Sequence, residues 1–487
     1  MSTESAPANG SGANGHGTPP SHTDQPHWAS YNRVAVIAAI AGWTLFVVAG
    51  VLNLRGAEDA HAQHDAIARL MVGYLSGYIY WASLPLGAMA LLMIRYLAKT
   101  SWGLLLTRPL EAATRTLPLT VLLFIPLAVS VALIDPDTHE AKYSPYWWSR
   151  PHHTEPHDLD PTALQAENKR DLAELKGKEM ANRAIAFQRA IDEAHAAEME
   201  RINAGRNHFL SAPAFIGVGA VLFIIWGIMI YCLNAWGRAA SDSHDPRVVD
   251  RYLEKLSNIS GPGLIIYAIT TTAAATQWVM STEPGWASTM FPVIYAVNQF
   301  LTAYAFCLAL FLLWTQRPPF AGFMRPKFQL DMGTLLLAFT LLWSYTSFSQ
   351  FMLVWIGNLP EEIPFYLKRS NSEGHRTFWW GVSAALIALH FALPFLLLLF
   401  RDIKLHPARL RAVAIYLVLI CMIDVIWWIA PSAPEYSHFP AWLIDVGAVF
   451  GIGGLWGLYF IYQLRQRPLF PDNQAFLLPE GHHHEPH

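Results

Sequence analysis

Cysteine is scarce in this 487-residue chain: Cys232, Cys307 and Cys421 are the three present, each alone inside a different apolar run. From three isolated thiols no disulfide, zinc or iron–sulfur framework can be argued. The haem-attachment pattern C-x-x-C-H is absent as well, which excludes covalent c-type haem. Charge is equally scarce. Asp, Glu, Lys and Arg occupy 14% of positions, against roughly 25% in a soluble globular chain. A net charge of −3 is too small to point to nucleic acid.

Apolar residues make up 53% of the chain. They come in unbroken runs of about 20 or more, the length an α-helix needs to cross roughly 30 Å of hydrocarbon. The expected fold is therefore all-α and polytopic, with about ten transmembrane helices. Apolar windows place the spans at about 32–54, 70–94, 117–134, 211–235, 260–281, 289–315, 332–356, 377–400, 411–430 and 440–463. Residues 32–134 then hold spans one to three, and 211–464 hold spans four to ten. Residues 1–31, rich in Gly, Pro, Ser and His and unlike a signal peptide, read as a disordered tail. A second tail covers 465–487.

Lys and Arg concentrate in the loops on the side of the two tails, including Arg95, Lys99, Arg108 and Arg115 in one loop and Arg401, Lys404, Arg409 and Arg411 in another. That asymmetry predicts cytoplasmic N- and C-termini. The long outer loop, 135–210, reads as a soluble charged helix from the N-cap Asp160 and Pro161 to about Ala204. Its role stays open between a solvated spur and a docking surface. Tyr143, Tyr146, Trp147 and Trp148 read as an interfacial aromatic belt. His152, His153 and His157, with His482, His483, His484 and His487, read as solvated tracts without regular ligand spacing.

Polar groups inside hydrocarbon are costly, so their positions are informative. Asp424 in the ninth span, Asp445 in the tenth, Gln350 in the seventh and His390 in the eighth are expected to form a polar patch in the C-terminal helices. Asp424 and Asp445, joined by a short loop, should face each other on antiparallel neighbours in one cavity with Gln350. Asn358, Glu361 and Glu362 lie at the outer end of the seventh span. The patch suits a proton pathway or a quinone head-group pocket, because quinol oxidation releases protons to carboxylate or imidazole acceptors. Interhelical hydrogen bonding is the plainer alternative. Weaker candidates are the stripe Tyr74, Tyr78 and Trp81, at i, i+4 and i+7, and Gln277 in the fifth span. Both read more readily as packing, as do Asn298 and Gln299.

Two functional classes remain: the membrane subunit of a respiratory redox complex, and a secondary transporter. A cytochrome b would need paired histidine ligands within its spans, and His390 is the only clear one. A transporter would show internal repeats with matching helix breaks, and no convincing repeat is present.

Three long stretches carry a resemblance: SLPLGAMALLMIRYLAKTSWGLLLTRPLE from Ser83 to Glu111, DMGTLLLAFTLLWSYTSFSQFMLVWIGNLPEEIPFYL from Asp331 to Leu367, and LHFALPFLLLLFRDIKLHPARL from Leu389 to Leu410. With the span pattern they resemble the ActF family, NrfD-related membrane subunits of the bacterial quinol-oxidising assembly called alternative complex III. The resemblance implies two four-helix bundles with two flanking helices in the bacterial cytoplasmic membrane. It implies partners as well: a paralogous NrfD-like subunit, an iron–sulfur subunit and multihaem cytochrome c subunits. Haem and clusters would reside in those partners, and a quinone is the one small molecule expected to approach this chain. Scaffolding and proton conduction would be its part, with the membrane anchor of another NrfD-type molybdopterin/iron–sulfur oxidoreductase as the alternative. The chain departs from the family pattern at Gln277, where the family typically has Asp, and at Gly285, where it has His.

Overall fold

The computed structural model describes residues 28–57, 60–98, 101–133, 143–149, 209–283, 286–314, 326–357, 362–372, 375–376, 378–433 and 441–468. Among them ten helices are long and apolar enough to cross a membrane, so the chain is an all-α, multi-pass membrane protein. The helices are α1 (Trp28–Arg55), α2 (Ala60–Ala98), α3 (Ser101–Thr114), α4 (Leu117–Ala132), α5 (Ala212–Asp242), α6 (Pro246–Trp278) and α7 (Phe291–Trp314). They continue as α8 (Pro326–Gly357), α9 (Ile363–Ser370), α10 (Phe378–Leu386), α11 (Leu393–Leu399), α12 (Arg401–Leu405), α13 (Pro407–Ile429) and α14 (Trp442–Arg465). A π-helical turn, Ile387–Ala392, joins α10 to α11 into one span.

The helices sort into two groups of four spans. In the first, α2, α3–α4, α5 and α6 pack together; in the second, α7, α8, α10–α11 and α13 do so. The two groups meet along α2 and α7, the most deeply buried helices. Outside them, α1 and α14 pair with each other and lean on α2. Small residues explain that pairing. Gly447 and Gly451 of α14 face α1, where an added Cβ would come within 2.8 Å of the Phe46 Cα and 3.1 Å of the Trp43 ring. Without side chains at these positions the two backbones approach closely, as small-residue stripes allow between membrane helices.

Several expectations change here. The segment bearing Arg108 and Arg115, read as a loop, is mostly the helix α3, and the third span starts near Leu105 rather than at 117. Leu106, Leu110, Ala112 and Ala113 bury its apolar face, which holds the helix against the bundle despite its charges. Tyr146 is no belt residue. It is wholly buried, stacked on Trp148 with centroids 5.4 Å apart, and its hydroxyl donates to the Trp278 carbonyl at 3.2 Å. Tyr146, with Trp148 stacked on it, thus packs into the first bundle, whereas Tyr143 is exposed. Most of the expected tails, most of the 135–210 segment with its charged helix, and the histidine tracts lie outside the described residues, while 28–31 belong to α1, Arg465 closes α14 and 466–468 follow on from it.

Candidate functional site

Proline shapes the second bundle at the point where its polar centre forms. In a regular helix the amide of residue 394 would donate to the His390 carbonyl, but Pro394 has no amide hydrogen and its ring crowds that carbonyl. The chain widens into the π turn Ile387–Ala392 instead, a distortion frequent at functional sites. The turn carries His390 into the bundle, where it is fully buried.

There the imidazole stacks on Trp343 of α8, with centroids 3.6 Å apart and planes at 28°. Its Nδ1 lies 3.8 Å from Asp424 Oδ2 on α13, beyond hydrogen-bond reach, and makes no other hydrogen bond. Its Nε2 is 3.5 Å from Cys421 Sγ, one turn before Asp424. The carboxylate is better held. Asp424 Oδ2 accepts from Trp343 Nε1 at 2.9 Å and from Asn298 Nδ2 of α7 at 3.0 Å. Thr302 in turn donates to Asn298 Oδ1 at 3.2 Å, which fixes the amide's orientation. Bonds to a charged acceptor contribute about 1.5–3 kcal/mol each, and two of them offset much of the cost of burying the carboxyl group. The outcome is an ionisable pair inside hydrocarbon with one nitrogen left without a partner.

Asp445 does not join this centre, contrary to expectation. Both its oxygens accept from the guanidinium of Arg69 on α2, through Nη1 at 3.2 Å and through a closer contact to Nη2, which also donates to the Ala441 carbonyl at 2.9 Å. The short connection suggested that α13 and α14 are neighbours, yet α14 packs chiefly against α1 and α2 because its glycine stripe fits α1. Gln350 is separate too: its Oε1 accepts from Ser288 at 2.6 Å, on the segment leading into α7. Glu362 is half-buried at the turn before α9, whereas Asn358 and Glu361 lie outside the described residues.

The stripe on α2 packs inside the helices, with the Tyr78 hydroxyl buried and without a hydrogen-bond partner. Tyr74 donates to the Leu123 carbonyl at 2.8 Å, Trp81 donates to the Val449 carbonyl at 2.7 Å, and Tyr78 is wedged against Phe124 and Trp278. Gln277 is buried, with Nε2 donating to the Phe209 carbonyl at 3.2 Å and Oε1 without a partner.

A buried ion cluster at the end of α9 escaped the sequence reading. Arg369, at the end of α9, is buried and donates to the carbonyls of Phe365, Trp427 and Trp428 at 2.7, 3.0 and 2.7 Å. It also donates to Glu283 Oε1 at 3.2 Å, while Lys368 holds Glu283 Oε2 at 3.1 Å. Burial lowers the Arg369 guanidinium to about 10, with Glu283 opposing the shift. The only signal in the sequence was an unpaired Glu283 beside a span end. Its partner is 86 residues away, so nothing local linked them.

Among the described residues no group of three or more His, Cys, Asp or Glu side chains is placed to hold a metal ion. No family model matches the chain, and no curated protein is similar to it.

Proposed function

We propose that this protein is a membrane subunit of a bacterial quinol-oxidising respiratory complex of the alternative complex III type, and that its second bundle passes protons through His390 and Asp424. The observation that carries the proton role is the His390–Asp424 pair itself: two proton-exchanging groups 3.8 Å apart, buried inside a helical bundle. Ionisable residues at such depth are expensive and mark ion or proton pathways. The assembly role rests on the resemblance of the three long stretches to the ActF family. In this reading the chain lies in the cytoplasmic membrane with both termini inside. It packs beside a paralogous NrfD-like subunit, with an iron–sulfur subunit and multihaem cytochromes oxidising the quinol.

Purification in mild detergent tests the assembly. Co-purification with haem-bearing and iron–sulfur chains is expected, and a chain that purifies alone with full transport of a solute would overturn the reading. Proton-to-electron ratios in proteoliposomes test the site. Asp424→Asn and His390→Gln should lower the ratio while quinol oxidation continues, and unchanged ratios in both would leave the pair as structural hydrogen bonding.

A further inference from the structure

Where the start of the third span meets the ends of α5 and α14, three guanidinium groups converge on one carboxylate. Glu111 Oε2 accepts from Arg108 Nη1 at 2.9 Å and from Arg467 Nη1 at 3.2 Å. Arg115 lies in the same cluster without a carboxylate of its own. Its Nη2 donates to the Gln463 carbonyl at 2.8 Å, its Nη1 reaches Asn234 Oδ1 at 3.4 Å, and its Nε is buried with no partner. Burial lowers the Arg467 guanidinium, Glu111 raises it, and the nearby Arg108 and Arg238 lower it further. Like charges gathered away from water need a counter-charge. Glu111 acts on Arg115 only through space, since its bonds go to Arg108 and Arg467, so three guanidinium groups share one carboxylate.

We propose that this cluster binds one phosphate-bearing anion, the headgroup of an anionic phospholipid, held by Arg115 and Arg467. Guanidinium groups suit phosphate oxygens, which accept two parallel N–H bonds from one planar fork. Basic sites between helix ends are the usual seats of anionic headgroups. The surroundings favour a lipid over free phosphate. Tyr231, one turn before Asn234 on α5, and Tyr462, next to Gln463 on α14, are 73% and 59% exposed, and Ile228 is exposed one turn further along α5. Acyl chains can lie against these side chains while the headgroup reaches the arginines. This inference is independent of the proton pathway and of the proposed assembly.

The test uses the full chain, delipidated in mild detergent and titrated with phosphatidylglycerol, phosphatidylcholine or inorganic phosphate, with native mass spectrometry and thermal melting as readouts. Wild type should retain a single phosphatidylglycerol in preference to phosphatidylcholine and should melt higher in its presence. Arg115→Gln and Arg467→Gln should each weaken retention about fivefold, the worth of one basic group at an anionic membrane surface. Arg115→Lys keeps the charge and should keep most of the binding. Arg409→Gln, which removes an exposed arginine of α13 paired with Asp402, controls for net charge and should leave retention unchanged. Equal retention of both lipids, or an equal loss in Arg409→Gln, would overturn the site. Protection by millimolar phosphate with no lipid preference would overturn the lipid assignment in favour of a free anion.

Discussion

Two buried carboxylates that look alike in sequence have different surroundings and should respond differently to the same change. Asp445 faces Arg69 at close range with side chains almost sealed from solvent. Asp445→Asn therefore leaves an uncompensated buried guanidinium, a loss of about 3–5 kcal/mol when one partner of a buried pair is removed. Asp424 has two neutral N–H donors and a histidine at 3.8 Å that is an ion-pair partner only when protonated, so Asp424→Asn should cost less stability. Thermal melting of the two variants in detergent checks this, and equal losses would contradict it. Arg369→Gln should also destabilise, since it leaves the buried Glu283 with the half-exposed Lys368 as its remaining partner and frees three carbonyls. Its effect should be seen in melting and in protease cleavage near α9.

At the scale of elements, one proline and one glycine stripe decide where the polar groups go. Pro394→Ala restores the missing amide and favours a regular helix through 387–392, which rotates His390 away from Trp343 and Asp424. The variant should fold with little loss of stability yet reproduce the lowered proton-to-electron ratio of His390→Gln. An unchanged ratio would mean that the bulge does not position the imidazole. Gly451→Val acts in the opposite sense. Its side chain would push against Trp43 and separate α14 from α1, so melting should fall while the His390–Asp424 centre, on other helices, is left in place.

At the scale of the whole molecule, the ten candidate spans among the described residues would put the chain's two ends on the same side of the membrane. The excess of Lys and Arg on that side predicts that it is the cytoplasm. Reporter fusions after His487 should be active as cytoplasmic fusions, and activity confined to the periplasm would refute the orientation.

The spans and, apart from the start of the third, their approximate limits were legible in the sequence alone, because a bilayer imposes a length and an apolarity that each run must meet by itself. That His390 and Asp424 fall within apolar runs was legible in the same way. Which polar groups meet was decided only by tertiary structure. Asp445 answers to Arg69, 376 residues away, and Arg369 to Glu283, 86 residues away. The burial of α3 and of Tyr146 likewise comes from distant helices. Hydropathy reports how a helix is solvated by lipid, but it is silent about which neighbour each face meets. That choice depends on close-fitting surfaces such as the α1–α14 glycine contact, where small residues widely separated in sequence become important only once the two helices touch.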